Sequence, residues 1–233
     1  DEMLELGVKY YILAYSHDDI MQQIFAKLKE NRCCIVLVSR DFIENENGYY
    51  VGVDYYRSGL LAAELLGKML PEGGEVLIPV TKEYETNQDI SARLRGFSDK
   101  IKEYGNIELL PVVHGLLEEE KIYEQIVNHI KERPALKGIY DLTYRLDVIS
   151  RALQDLSRTD IKLVGFDLFE DIRKYVVDST IDAVIYQDLS KQAYQAVKIL
   201  FDEMCYGKRK DQYKIYAKLE IIMKENIQYF ANV

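Results

Sequence analysis

Short, β-branched apolar runs alternate with helix-period stretches along almost the whole of this chain. Val8–Tyr15, Ile35–Val38, Tyr49–Val53, Val76–Val80, Leu109–Val113, Gly138–Tyr140, Lys162–Phe166, Ala183–Tyr186 and Tyr216–Met223 read as strands. Between them, Ile20–Glu30, Ser58–Leu70, Ser91–Tyr104, Glu118–Glu132, Leu146–Leu156, Glu170–Val177 and Ser190–Gly207 read as helices. Residues 1–7 read as the tail of a helix stopped by Gly7. The strands are apolar on both faces. Such strands need helices above and below, which is the pattern of a parallel sheet in a doubly wound α/β fold.

The bulk properties narrow the field. The chain has 233 residues, enough for two α/β lobes, and a net charge of −9. An acidic surface does not grip nucleic acid, which demands a basic one. The three cysteines, Cys33, Cys34 and Cys205, have no metal-ligand spacing and read as free structural thiols, which favours a reducing compartment. The chain carries no apolar run of membrane length. No GxSxG elbow, P-loop or GxGxxG turn appears, so an enzyme is not expected. His17, Asp18 and Asp19 lie together, but one His beside two loop carboxylates reads as a helix cap. No metal or cofactor is expected.

Polar residues collect where strands end, and that is where open α/β sheets hold ligands. Val38 leads into Ser39 and Arg40. Arg93 lies in the Arg-Leu-Arg-Gly-Phe run that follows the Val76–Val80 strand. Phe166 leads into Asp167, and Tyr186 into Gln187. Arginine offers a planar fork of donors, and carboxylate and amide oxygens accept. Facing each other across a cleft, such groups suit a molecule with many hydroxyls. The 19 tyrosines supply stacking candidates for its apolar face, among them Tyr15, Tyr84 and Tyr144. Plainer roles exist for each. Asp167 can cap the helix after it, Arg93 can pair in solvent with Asp89 or Glu85, and Gln187 can serve a hinge.

Four segments in order carry a resemblance. They are YYVGVDYYRSGLLAAELL (49–66), RLRGF (93–97), LVGFDLFED with IDAVIYQDLSKQAYQAVKIL (163–171 and 181–200), and KLEIIMKENI (218–227). Together they resemble the ligand-sensing region of the lactose-repressor (LacI/GalR) family of transcription regulators. The same fold serves extracellular sugar-binding proteins of transporters and sensors, which are the alternative.

The resemblance implies two doubly wound parallel-sheet lobes joined by three crossovers. The first would hold residues 1–53 and 187–214, the second 54–186 and 215–233, with the first lobe incomplete at its N-terminus. It implies a carbohydrate-like effector held in the interlobe cleft by Arg93, Asp167, Gln187, Ser39, Arg40, Thr143 and Tyr144. Ser39 stands where relatives often have Asp, and Leu142–Thr143 where many have Asn-Asp. It further implies a cytoplasmic homodimer that meets operator DNA through a head lying outside this chain, and no membrane partner.

Overall fold

The computed structural model describes residues 1–14, 19–40, 48–81, 87–114, 118–207 and 214–230. In chain order its elements begin with α1 (Glu2–Glu5), β1 (Tyr10–Ala14), α2 (Asp19–Glu30), β2 (Cys34–Val38) and β3 (Tyr49–Gly52). Then come α3 (Tyr55–Met69), β4 (Gly74–Leu77), α4 (Gln88–Ile101), β5 (Ile107–Leu109), α5 (Glu119–Glu132) and β6 (Leu136–Tyr140). The last are α6 (Leu146–Asp155), β7 (Lys162–Phe166), α7 (Arg173–Val177), β8 (Ala183–Tyr186), α8 (Leu189–Tyr206), β9 (Lys214–Tyr216) and β10 (Glu220–Ile222).

The chain divides into two α/β units. The first is Asp1–Asp54 with Gln187–Lys218, and the second is Tyr55–Tyr186 with Leu219–Val233. The last crossing thus follows Lys218 rather than residue 214, because β9 pairs with β3 of the first unit.

In the first unit the sheet order is β1-β2-β3-β9, all parallel. Ile35, Leu37 and Tyr50 pack on Phe25 and Leu28 of α2. The alternate side chains Val36, Tyr49 and Val51 pack on Ala196 and Ile199 of α8. This is the two-faced burial that continuous apolar strands require. β1 forms one edge of the sheet, and its Tyr10 and Ile12 stay partly exposed.

In the second unit the order is β10-β8-β7-β6-β4-β5, parallel except for β10. One face carries Val76, Ile78, Tyr140, Val164 and Ile185 against Ala62, Leu66 and Phe97 of α3 and α4. The other carries Leu77, Ile139, Leu163 and Val184 against α5, α6 and α7. Among the described residues, no helix is long and apolar enough to cross a membrane.

Three local expectations are corrected. Residues 216–223 do not form one strand. The chain gives β9 to the first sheet, in parallel with β3, and β10 to the second, antiparallel to β8. The β4 strand ends at Leu77, and Pro79 has no N–H to donate; past it only isolated bridges remain, Pro79 to Val113 and Val80 to Leu142. Helix α4 starts at Gln88, ahead of Ser91. The Asn87 side chain caps it by accepting from the N–H groups of Asp89 and Ile90.

Candidate functional site

The second unit builds its site on the crossing of α3 and α4. Two glycines set that crossing. A Cβ on Gly96 would sit 2.0 Å from the Tyr56 carbonyl oxygen, and one on Gly59 would sit 2.0 Å from that of Arg93. Only glycine lets the two backbones approach so closely. Arg93, one turn before Gly96, is thereby pressed against the start of α3 and the end of β7.

Arg93 is 2% exposed. Its guanidinium carbon lies 3.9 Å from the centre of the Phe166 ring and 4.6 Å from that of Tyr55. Cation–π attraction to these rings offsets part of the cost of burying the charge. The Arg93 Nε is buried without a hydrogen-bond partner, and the residue makes no ion pair among the described residues. A buried charged donor of this kind calls for oxygen acceptors. The solvent pairing considered for Arg93 is therefore not what the structure shows.

Asp167 follows Phe166 directly. It is 6% exposed and holds a left-handed backbone, φ +60°, while its N–H donates to the Ile185 carbonyl at 2.9 Å. It does not cap the next helical turn. That turn, Glu170–Ile172, has Phe169 at its cap position. Tyr144 (φ +63°), Ser39 (φ +65°) and Asp188 (φ +46°) share this backbone. All four stand just past strand ends, where left-handed non-glycine residues mark sites whose geometry the fold enforces.

Beside Asp167, the β6 end carries a buried polar knot. Asp141 is 1% exposed, and its Oδ1 accepts from the Thr143 N–H at 2.8 Å and the Thr143 hydroxyl at 2.6 Å. The same hydroxyl accepts from the Arg145 N–H at 3.2 Å. Burial pushes the Asp141 carboxyl up to about 6, and the Thr143 donors pull against that rise. The Tyr140 ring stacks on Phe97 at 4.8 Å. Burial raises its hydroxyl's pKa, and nearby Arg93 and Ser58 oppose the rise.

The structure thus gathers four of the sequence candidates in the second unit: Arg93, Asp167, Thr143 and Tyr144. Arg93 packs on Phe166, and Asp167 follows that residue in the chain. Tyr144 sets its ring edge-on to Phe166 at 4.6 Å and stays 40% exposed, as a stacking platform must. Thr143 already uses its hydroxyl within the knot. The other three, Ser39, Arg40 and Gln187, belong to the first unit. There the Ser39 carbonyl accepts from the Tyr50 hydroxyl at 2.9 Å, and the Gln187 carbonyl accepts from the Gln192 amide at 2.7 Å. Tyr15, His17, Asp18, Tyr84 and Glu85 lie outside the described residues.

Sequence reasoning missed Tyr55 and Phe166 as the ring pair on Arg93, and Asp141 as a buried carboxylate. Asp141 ends an apolar strand as Asp167 does, and that position was the available signal. Among the described residues no group of three or more His, Cys, Asp or Glu is placed to hold a metal.

Two α/β units threaded by three crossings, with polar side chains at strand ends, define a class of small-molecule binding domains. Residues 1–209 match the family described as periplasmic binding protein domain, and the chain belongs to that family. It is 24% identical over 230 residues to the D-apiose import binding protein of Paraburkholderia graminis, covering 97% of this chain and 72% of that one. The fold is similar to that of the sugar-binding protein of a sugar ABC transporter from Bacillus halodurans. There the TM-score is 0.89 at 18% identity, over 98% of this chain and 82% of that one. It is also similar to that of a putative LacI transcriptional regulator from Bacteroides fragilis, with a TM-score of 0.82 at 21% identity over 98% and 79%.

Proposed function

We propose that this domain binds a small sugar at the strand ends of its second unit, without turning it over. The observation that carries the reading is Arg93: a buried guanidinium flanked by Tyr55 and Phe166, with its Nε unpartnered. Sugar hydroxyl oxygens supply the acceptors it needs. Asp167 accepts from the hydroxyl hydrogens, and Tyr144 offers a ring to the C–H face. The D-apiose importer and the sugar-transporter neighbour support a sugar as ligand and uptake as its use.

A second reading keeps the sugar and changes the output. The domain then senses an effector for a cytoplasmic LacI-type regulator that meets operator DNA through a separate head. All three cysteines are free, which favours a reducing compartment, and the Bacteroides fragilis neighbour supports it. The gene upstream separates the two: a basic helix-turn-helix marks the regulator, a secretory signal the importer.

A thermal-shift screen with D-apiose, D-arabinose, other pentoses and hexoses tests the shared reading, since a ligand that binds only the folded state raises the midpoint. At least one sugar should raise it, and that sugar should be recovered chemically unchanged. A flat response across the panel, or a consumed sugar, refutes the reading.

A further inference from the structure

The buried Nε of Arg93 has company. The Tyr140 and Ser58 hydroxyls are also buried without a hydrogen-bond partner in the protein. The three atoms come from α4, β6 and α3, and the fold brings those elements together. Arg93 and Phe97 lie one turn apart on one face of α4. Tyr140 pairs in register with Val164, two residues before Phe166 on the same face of the sheet. One helical turn and two strand residues both span about 6 Å. The Phe97–Tyr140 stack therefore stands beside the Arg93–Phe166 stack. Ser58 adjoins Gly59, the residue that brings α3 against the Arg93 backbone. Both Arg93 and Ser58 act on the Tyr140 hydroxyl, each opposing the rise in its pKa.

A single unpaired polar group in a core is costly, and a cluster of three calls for a shared partner. One N–H donor and two hydroxyls are a set that one water molecule satisfies, since a buried water makes about three hydrogen bonds. We infer that a buried water sits among Arg93, Tyr140 and Ser58, and that the two hydroxyls act through it as positioning residues for the sugar. The water accepts from the Arg93 Nε–H and donates to the two hydroxyl oxygens. Tying Nε in this way fixes rotation about the Cδ–Nε bond, and with it the plane of the guanidinium before the sugar arrives. Tyr140 is fully buried, so it acts on the ligand only through Arg93. This role rests on the sugar reading of Arg93, whereas the water site itself does not.

The test begins without ligand. In NMR spectra of the nitrogen-15-labelled protein, the Arg93 Nε–H signal is assigned by its loss in Arg93→Lys. It should exchange slowly with solvent and show a nuclear Overhauser cross-peak to a long-lived water; no such cross-peak overturns the water site. Tyr140→Phe and Ser58→Ala each delete one hydroxyl and little else. Each should shift or broaden the Nε–H signal and weaken the best sugar of the screen about threefold to tenfold, the effect of one hydrogen bond. The double variant should bind about as well as the weaker single one, because both hydroxyls act through one water. Losses that add in the double variant overturn the shared water. A lower thermal midpoint with affinity and signal unchanged marks a merely structural role and overturns the positioning. A panel in which no sugar binds refutes the sugar reading and the positioning with it, while the cross-peak still decides the water.

Discussion

The guanidinium carbon of Arg93 lies 3.9 Å from the centre of the Phe166 ring, and the residue after Phe166 is Asp167. The strand end that supplies the ring on the donor fork thus also carries an acceptor carboxylate. Arg93→Ala should weaken sugar binding by about 1.5–3 kcal/mol, the range for a bond to a charged group. Arg93→Lys should recover little, because an ammonium has neither the fork nor the flat face that meets the rings. Calorimetric titration with the best sugar of the screen reads both. An unchanged dissociation constant in Arg93→Ala would place the site elsewhere.

Asp167 combines a left-handed backbone with burial, and the two can be separated. Asparagine tolerates φ +60° and valine does not. Asp167→Asn should keep the thermal midpoint and lose roughly tenfold in affinity, as a neutral acceptor replaces a charged one. Asp167→Val should lose the same binding and about 1–3 kcal/mol of stability as well. Equal midpoints for the two variants would show that the backbone there is unstrained.

The Asp141 carboxyl, pushed up to about 6, gives a signed pH dependence. A carboxyl whose folded pKa exceeds its unfolded value of about 3.9 holds its proton more tightly in the folded chain. Its buried charge therefore destabilises fully above pH 6, and that penalty is relieved as pH falls towards 4. Asp141→Asn keeps the oxygen that Thr143 contacts and removes the ionisation. The variant's stability advantage over the parent should shrink by about 2–3 kcal/mol between pH 7.5 and 4.5. His129, lowered by burial, works in the opposite sense, since its stabilisation is lost as pH falls below 6.5. It is present in both proteins and cancels in the difference. Parallel urea-denaturation series at the two pH values measure this, and a pH-independent difference would refute it.

Gly96→Ala should be costly, because the new methyl would meet the Tyr56 carbonyl oxygen at 2.0 Å and force α3 and α4 apart. About 2–4 kcal/mol of stability is expected to go, and sugar affinity with it as Arg93 shifts. Gly105→Ala is the control. Nothing lies within 4 Å of its Cβ position, so stability should hold or rise by up to about 1 kcal/mol. Chemical denaturation of the two variants decides. A Gly96→Ala protein as stable as the parent would mean that the crossing is not tight.

Local patterns were legible in the sequence, and pairings were not. The alternation of strands and helices needs only residue order, as does the placing of Arg93 and Asp167 near strand ends. The ring pair on Arg93 depends on the crossing of α3 over α4, which brings Tyr55 and Phe166 to one guanidinium from far apart in the chain. Asn87 was a readable helix cap, and it would have moved the start of α4 ahead of Ser91. The stretch Tyr216–Met223 reads as one strand because its apolar rhythm barely breaks. Only the partners, β3 for β9 and β8 for β10, divide it.

That division governs how the molecule can be made. Translation delivers β4 to β8 as one uninterrupted block, so most of the second sheet can assemble while the ribosome is still working. The first sheet has to wait: α8 and β9 emerge only after that whole block. Until they do, Val36, Tyr49 and Val51 lack the helix that covers them. Nascent chains stalled before residue 189 should carry one ordered half and one sticky half, the state a chaperone must shelter.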